Sequence, residues 1–422
     1  MENIQVILKN THKKRIHKVV SIIMTFLILF ISITQSTSAN LLYINAKTAF
    51  EKSKPLGIMA TAVGKKVVVS WEAVDDADGY EIYESVLEYL EDGTVTKTKF
   101  TLVKDIKKCQ AVLSKKKQGA IYRYYVRAYQ IKENLEKNTT QEEKSQSENE
   151  AASKTDSNVN KVYSKSSKKV STTVSLTGKS TIKNFLQTAI SPIGSTMYVW
   201  GGGWNKEDTA AGPGATRIGL SVTWRNFAKK QTASYNYKNY RYQINNGLDC
   251  SGFVGWSVYN VLNTKKNQKG YVYSSKKQAK KFSNFGFGSY RTAKKVSDYK
   301  AGDIMSSTCS DCGHVWIVLG QCKDKSVVLV HASPSGVQIS GTVTPKGKQN
   351  SQAYKLAKKY MEKYYPEWTK KYPALCKNTS YLTHYSQMRW TTKGNEVVLS
   401  DPDGYQDMSA EEVLKDLFSN VE

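Results

Sequence analysis

Histidine is scarce in this sequence, which has five histidines among its 422 residues. His12 and His17 lie in an N-terminal segment that has the layout of a removable secretory signal. The remaining candidates for a histidine base are His314, His331 and His384. Because a thiol or hydroxyl nucleophile usually relies on histidine as its base, this scarcity restricts any such site to these positions.

The N-terminal apolar run, residues 19–33, is too short for a full membrane span, which needs about 20 residues. Residues 9–18 before it are rich in Lys, Arg and His, and the small residues Ser36 to Ala39 follow it. This layout predicts a signal peptide over residues 1–39, cleaved near Ala39; a retained N-terminal anchor is the alternative. Either way we expect the working part of the chain outside the cytoplasm, with no other attachment to the membrane.

Acidic residues are also in deficit. The chain has 36 Asp and Glu against 62 Lys and Arg, which gives a formal net charge of +26. Such a surface attracts polyanions through its long-range electrostatic field. Nucleic acid is the usual partner of a basic chain, but export excludes it from our expectations, so an extracellular polyanion is predicted instead.

The most informative stretch is residues 249–256, which read DCSGFVGW. The apolar positions that recur there at helical spacing are Phe253, Val254, Val258, Val261 and Leu262. A thiol in the first turn of a helix faces unpaired N–H groups and the positive end of the dipole, which favour the nucleophilic thiolate. Asp249 is expected to cap this helix. The alternative is that Cys250 is a small buried hydrophobic residue.

Two of the remaining histidines stand at the ends of strand-like apolar runs. His314 begins the run of residues 313–320, and His331 ends the run of residues 327–331. Because the link between them is short, the two strands should pair antiparallel, and the start of one should lie near the end of the other. We expect the two histidines side by side, one as a base and the other as its orienting partner. Taken singly, each is equally explained as a core histidine.

Several separated blocks, in this order, resemble the NlpC/P60 family of cysteine peptidases. They are residues 198–203 (YVWGGG), 249–252 (DCSG), 301–304 (AGDI), 313–315 (GHV) and 330–333 (VHAS). The resemblance covers about residues 181–345 and implies an α+β papain-like catalytic domain, in which a helix that carries the cysteine packs on a small antiparallel sheet that carries the histidines. Members of the family cleave stem peptides of bacterial cell walls, typically between γ-D-glutamyl and a diamino acid.

The resemblance also implies roles for individual residues. Cys250 is the expected nucleophile, His314 the general base and His331 the orienting third residue. The residues expected beside the substrate or the oxyanion are Tyr198, Asp249 and Ser251. No cofactor is implied. His384 is the substitute for His331 as the orienting residue.

The chain departs from the family pattern in two long insertions, at about residues 204–248 and 344–395. Their aromatic residues include Trp204, Trp224, Tyr235, Tyr237, Tyr240, Tyr242, Trp368 and Trp390. Long functional loops commonly line a cleft, where aromatic rings stack on sugars. These rings are equally explained by packing over the core.

An all-β domain is predicted before the catalytic domain, over residues 57–174. Residues 66–73, 79–83 and 122–129 have the composition of short strands, which is typical of a β-sandwich. The patterns at residues 69–71, 79–83 and 125–129 resemble a fibronectin type III domain. Residues 132–160 are almost without apolar side chains and are expected to form a disordered loop before a last strand at residues 162–174. Residues 175–180 are the expected linker to a catalytic domain over residues 181–422.

The sequence has six cysteines, of which Cys250 must stay free to act as nucleophile. Cys109 is the expected unpaired and buried cysteine of the sandwich. The other four are Cys309, Cys312, Cys322 and Cys376. In an exported protein disulfides or free thiols are expected for them, and a structural four-cysteine zinc site is the alternative, because Cys309 and Cys312 have the spacing of half such a site.

Near the C-terminus, Ser409 and Glu412 have the spacing of a capping box and predict a short helix. Val413, Leu414, Leu417 and Phe418 would form the apolar stripe that docks this helix on the domain.

These patterns predict a secreted, wall-associated peptidoglycan hydrolase that acts through a Cys250 acyl-enzyme. The expected partners are peptidoglycan and anionic wall polymers, with no nucleic acid. The alternatives are a non-catalytic wall-binding or adhesion protein with a vestigial peptidase core, and a papain-like amidase that attacks another wall bond.

Overall fold

The computed structural model describes residue 24 and residues 44–89, 94–131, 161–176, 178–204, 216–262, 270–310, 313–394 and 397–419. The predicted signal peptide (apart from residue 24) and the predicted loop at residues 132–160 lie outside these described residues. Within them, no helix combines the length and apolar character that a membrane crossing needs.

The chain divides into two compact units. The larger comprises Pro55–Ala73, Gly79–Arg127 and Ser166–Glu422, and the smaller comprises Met1–Lys54, Val74–Asp78 and Ala128–Lys165. In the smaller unit residues 44–52 are helical, and the carboxylate of Asp78 accepts a hydrogen bond from the N–H of Ile131 at 2.6 Å. The predicted boundaries at residues 57–174, 175–180 and 181–422 stay predictions.

Nine strands form the β-sandwich region. They are β1 (Met59–Val63), β2 (Lys66–Ser70), β3 (Gly79–Tyr89), β4 (Val95–Lys97), β5 (Thr101–Ile106), β6 (Gln110–Leu113), β7 (Ile121–Ile131), β8 (Lys161–Tyr163) and β9 (Val170–Thr173). One sheet has the order β1-β2-β6, and the other has the order β4-β3-β7-β8, with β5 on β3 and β9 on β7. Alternate residues of β7, including Tyr124 and Val126, are buried, as expected for a strand with one face on a core.

The predicted last strand at residues 162–174 is in fact two strands, β8 and β9, which both pair antiparallel with β7. Two serines explain the interruption. The hydroxyl of Ser164 accepts a hydrogen bond from the N–H of Ala128 at 2.9 Å, and that of Ser167 accepts one from the N–H of Val126 at 3.0 Å. Side-chain oxygens therefore take part in bonding the β7 backbone between the two strands.

The rest of the larger unit combines helices with a second sheet. Its strands are β10 (Met197–Tyr198), β11 (Gly247–Leu248), β12 (Gly288–Arg291), β13 (Ile304–Ser307), β14 (Val315–Gln321), β15 (Val327–Ser333), β16 (Gly336–Thr342), β17 (Cys376–Lys377) and β18 (Tyr385–Trp390). Its α-helices are α1 (Ile182–Ile190), α2 (Val222–Lys229), α3 (Cys250–Leu262), α4 (Gln278–Asn284), α5 (Gln352–Tyr364), α6 (Pro366–Lys371), α7 (Ser380–Thr383) and α8 (Ala410–Phe418). Its 3-10 helices are Tyr237–Tyr240, Ile244–Asn246, Ala293–Lys295 and Tyr405–Asp407.

This sheet has nine strands in the order β11-β10-β16-β15-β14-β13-β18-β12, with β17 attached to β16. The β10–β11 and β16–β17 pairs are parallel, and the other pairs are antiparallel. The expected small antiparallel sheet is therefore extended. Strand β18, which lies within the predicted insertion 344–395, runs between β13 and β12.

Helix α3 lies in the centre of the larger core. All of its residues from Cys250 to Val261 are buried. Alternate residues of β14 belong to two hydrophobic clusters: Val315, Ile317 and Leu319 share one with α3, whereas Trp316 and Val318 belong to the other. The sheet is thus buried on both faces at β14, and the N-terminal end of α3 lies at the strand that follows His314.

The predicted C-terminal helix is confirmed as α8. Its N-cap Ser409 and Glu412 form the expected capping box, and all of the predicted docking residues are buried.

Candidate active site

Asp249 fixes the start of helix α3. Its carboxylate accepts hydrogen bonds from the N–H of Gly252 at 2.7 Å, from the Ser251 hydroxyl at 2.8 Å and from Nε1 of Trp204 at 2.9 Å. The predicted capping role is confirmed. Asp249 and Ser251 are both buried and bonded to each other, and their expected place beside a substrate or an oxyanion stays a prediction. Burial raises the pKa of Asp249 to about 6, although these hydrogen bonds oppose the shift.

Cys250 is the first residue of α3 and is 6% exposed. Its Sγ lies 4.0 Å from the carbonyl oxygen of Gly313, and the N–H of Val315 also bonds the sulfur, so the thiol faces both neighbours of His314. Burial, followed by the negative charge of Asp249, raises the pKa of the thiol to about 12, against the opposing effect of nearby N–H groups. Desolvation of the thiol therefore opposes the stabilisation of the thiolate that the N–H groups at the start of the helix provide.

His314 and His331 are in direct contact. Nε2 of His314 lies 2.9 Å from Nδ1 of His331, and the ring centres are 5.1 Å apart. The contact follows from the antiparallel pairing of β14 with β15, which includes Ile317 opposite Val330. The adjacency expected from the sequence is present in the structure, while the catalytic roles stay a prediction.

The second nitrogen of His331 is held from the other side. Its Nε2 lies 3.1 Å from Oγ of Ser340 on β16 and 3.4 Å from Oγ of Ser333. The ring is fully buried, and desolvation lowers its pKa well below the usual value. Desolvation also lowers the pKa of His314 to about 3. Desolvation therefore favours the neutral form of both imidazoles and of the Cys250 thiol.

Sequence patterns did not identify two further residues of the site. Tyr381 on α7 places its ring centre 5.8 Å from that of His314 and 6.3 Å from that of His331. Nζ of Lys377 on β17 lies 5.8 Å from the centre of the Tyr381 ring. The lysine charge adds to the lowering of both histidine pKa values. The only signal nearby was His384, in the same segment of the chain.

His384 itself does not belong to the histidine pair. It is exposed, and its Nδ1 lies 2.7 Å from Oγ1 of Thr383. His331, and not His384, is the histidine that lies beside His314.

Tyr198 lies close to Cys250. It is 7% exposed, and burial raises the pKa of its phenol, followed by the charges of Cys250 and Asp249. Its carbonyl accepts a hydrogen bond from the Tyr235 hydroxyl at 2.6 Å, and its ring packs edge-on against Tyr237 at 5.3 Å. The first insertion therefore supports the Tyr198 strand directly.

Most of the other insertion aromatics pack rather than line an open surface. Trp224, Trp368 and Trp390 are buried, and Trp224 meets Trp256 of α3 with ring centres 5.9 Å apart. Tyr242 differs, with 62% of its surface exposed. The packing interpretation therefore applies to the tryptophans of helices and strands.

The cysteines outside the site have mixed states. Cys309 is disulfide-bonded, whereas Cys109, Cys322 and Cys376 carry free thiols. Cys312 lies outside the described residues. A disulfide-bonded Cys309 has no thiolate to give to zinc, and the described part of the chain contains no His, Cys, Asp and Glu cluster suited to a metal. Cys109 is only half-buried, not buried as expected, since it follows an exposed turn between β5 and β6.

Comparisons with known proteins bear on the sandwich only. No protein-family model matches the sequence. No curated protein matches it. The third fibronectin III domain of a human protein is similar at 12% identity and a TM-score of 0.20, covering 30% of this chain and 84% of that domain.

A second similar structure is the fibronectin type III domain of human fibronectin type III domain containing protein 3, at 15% identity and a TM-score of 0.17, covering 29% of this chain and 86% of that one. The FN5 domain of Drosophila Lar is similar at 19% identity and a TM-score of 0.14, and the match covers 18% of this chain and 77% of that domain. These solved domains are similar to the β-sandwich region, and they give no family for the residues around Cys250.

Proposed function

We propose that this protein is a secreted cysteine endopeptidase of the NlpC/P60 type that cleaves stem peptides of peptidoglycan. The observation that carries the proposal is the 2.9 Å contact between Nε2 of His314 and Nδ1 of His331, beside the N-terminal end of the Cys250 helix. A nucleophile, a base and an orienting group in this order are the components of a thiol acyl-transfer site.

The proposed chemistry uses one of the two tautomer arrangements that these contacts allow. In it His331 donates from Nε2 to Ser340, and its Nδ1 accepts the Nε2–H of His314. This leaves a lone pair on Nδ1 of His314 for the thiol proton.

The first chemical step starts from neutral groups. As the Cys250 sulfur forms a bond with the amide carbonyl carbon, its proton passes to His314, and the backbone N–H of Cys250 stabilises the oxyanion. The proton then goes to the leaving nitrogen, the C–N bond breaks, and a thioester remains. Water, deprotonated by His314, hydrolyses this acyl-enzyme and restores the thiol.

The proposed substrate bond is the one between γ-D-glutamyl and a diamino acid. The proposed location is outside the cell, at the wall, where the basic chain meets teichoic-acid-type polymers and stem-peptide carboxylates. The sandwich, proposed as a fibronectin type III-like module, would contribute to this attachment.

Two other functions remain as candidates. A non-catalytic wall-binding protein needs no histidine pair at a cysteine-bearing helix, so the Cys250, His314 and His331 arrangement favours an enzyme over it. A papain-like amidase would use the same residues on another wall bond.

Digestion of purified muropeptides, followed by mass spectrometry of the fragments, separates these functions. The proposal expects fragments that end in γ-D-glutamate and fragments that begin with the diamino acid. Fragments from another bond indicate the amidase, and unchanged muropeptides indicate a wall-binding protein.

A further inference from the structure

A lysine outside the recognised motifs lies next to the histidine pair. Lys377 belongs to β17, which pairs in parallel with β16 through Thr342, and its carbonyl accepts a hydrogen bond from the N–H of Val343 at 2.7 Å. Its Nζ lies 5.8 Å from the centre of the Tyr381 ring, and that ring contacts both His314 and His331. The β16–β17 pairing thus holds the Lys377 ammonium close to the proposed base His314, with only the Tyr381 ring between them.

Lys377 has no ion-pair partner among the described residues, unlike two other partly buried cations of the same unit. Arg389 is bonded to Asp303, and Lys183 to Asp416. Burial lowers the pKa of Lys377 to about 8, so the cation is placed there against a desolvation cost. The ammonium lies over the face of the Tyr381 ring, which provides a cation–π contact but no opposite charge.

We propose that Lys377 is a specificity-determining residue that binds a free carboxylate of the substrate peptide beside the scissile amide, with Tyr381 fixing the position of the ammonium. This inference rests on the proposed peptidase function. A glutamyl residue linked through its γ-carboxyl keeps its α-carboxylate free, at the other end of the short side chain that carries the carbonyl of the bond that is cut. A fixed ammonium provides a charge-assisted hydrogen bond to such a group, and its amidated counterpart receives none of that charge interaction.

The first arm of the test compares two synthetic peptides that differ only in the glutamyl α-group, as carboxylate or carboxamide. Wild-type enzyme is expected to favour the carboxylate in kcat/KM by roughly 10- to 100-fold, the range for a hydrogen bond to a charged group. Lys377→Met should abolish the preference mainly through a higher KM, and Lys377→Arg should retain part of it. The control is Lys370→Met, because Lys370 is exposed on α6, and it should keep the wild-type preference.

The second arm does not need peptide cleavage. Iodoacetate carries a carboxylate and iodoacetamide does not, yet both alkylate a thiolate with loss of iodide. The ratio of their rate constants at Cys250 reports a cation beside the sulfur. Peptide mass spectrometry separates alkylation of Cys250 from alkylation of the free thiols Cys109, Cys322 and Cys376. Lys377→Met should lower the iodoacetate-to-iodoacetamide ratio several-fold, while Lys370→Met should not.

The two arms distinguish the possible failures. A lowered alkylation ratio without cleavage of either peptide supports the anion site at Lys377 and overturns the peptidase function. Equal cleavage of both peptides by wild-type enzyme, together with an unchanged alkylation ratio in Lys377→Met, overturns the role of Lys377 and leaves the peptidase function in place.

Discussion

Nδ1 of His331 lies 2.9 Å from Nε2 of His314, and its other ring nitrogen lies 3.1 Å from Oγ of Ser340. Removing the orienting ring should therefore damage catalysis without removing the base. His331→Ala is expected to lower kcat/KM by roughly 10²- to 10⁴-fold, because His314 loses its fixed tautomer.

The fall in kcat/KM should be smaller for His331→Asn, which keeps a hydrogen-bond acceptor, and smaller still for Ser340→Ala. Thermal unfolding of each variant checks that the fold is retained. Wild-type kcat/KM in a folded His331→Ala variant contradicts the orienting role.

The pH dependence should differ from that of an enzyme with an ordinary histidine base. A base must be neutral to act, and His314, with its pKa lowered to about 3, remains neutral as pH falls through the usual histidine range. We expect no fall in kcat/KM as the pH is lowered from about 7 to about 5. A fall centred near pH 6.5 shows that the base is not desolvated as described.

The pH dependence of KM on the alkaline side should report the charge of Lys377. The groups that face the Lys377 ammonium are Cys376, Tyr381 and the two histidines. Because the pKa of Lys377 is lowered to about 8, its positive charge is present below that pH and lost above it. KM for the carboxylate peptide should rise above pH 8, whereas KM for the carboxamide peptide should not. Parallel profiles for the two peptides contradict this assignment.

Asp249 has two separable effects on Cys250. Its carboxylate caps α3 through Gly252, and its charge raises the thiol pKa. Asp249→Asn keeps an acceptor oxygen but removes the charge, so iodoacetamide should alkylate Cys250 faster at pH 8. Asp249→Ala also removes the cap and should lower the free energy of unfolding by about 1 kcal/mol. Slower alkylation in Asp249→Asn is the opposite of the expected result.

Arg389 and Asp303 form a buried ion pair that joins β18 to the start of β13. Nη2 of Arg389 lies 2.7 Å from the carboxylate of Asp303, which is fully buried. Arg389→Met leaves that carboxylate without its cation and should lower the free energy of unfolding by about 3–5 kcal/mol in urea titrations. Adding Asp303→Asn should recover part of the loss, and strictly additive losses would argue against the coupling.

The arrangement of Cys250, His314 and His331 was predictable because its signals are local. The apolar spacing after Cys250 indicated α3, and the short link between two apolar runs indicated the β14–β15 hairpin that joins His314 to His331. The neutral state of Cys250 was not predictable, since its pKa depends on burial by residues distant in sequence. Lys377 and Tyr381 were not predictable for the same reason. They lie near the histidines because β17 pairs in parallel with β16, a long-range contact that no spacing in the sequence indicates.

Wall attachment provides a test that is independent of catalysis. With a formal charge of +26, binding to isolated cell walls should weaken steeply as salt is raised, because exposed charges are screened. Co-sedimentation of the Cys250→Ala variant with walls measures this without degrading them. Retention that does not respond to salt contradicts an electrostatic attachment.

The central claim is that Cys250 is the nucleophile of a wall peptidase. The most direct measurement is the release of stem-peptide fragments from purified muropeptides by wild-type protein and by Cys250→Ala, with wall binding measured in parallel. We expect fragments from wild-type protein, none above background from Cys250→Ala, and equal wall binding by both. Undiminished cleavage by Cys250→Ala would show that Cys250 is not the nucleophile.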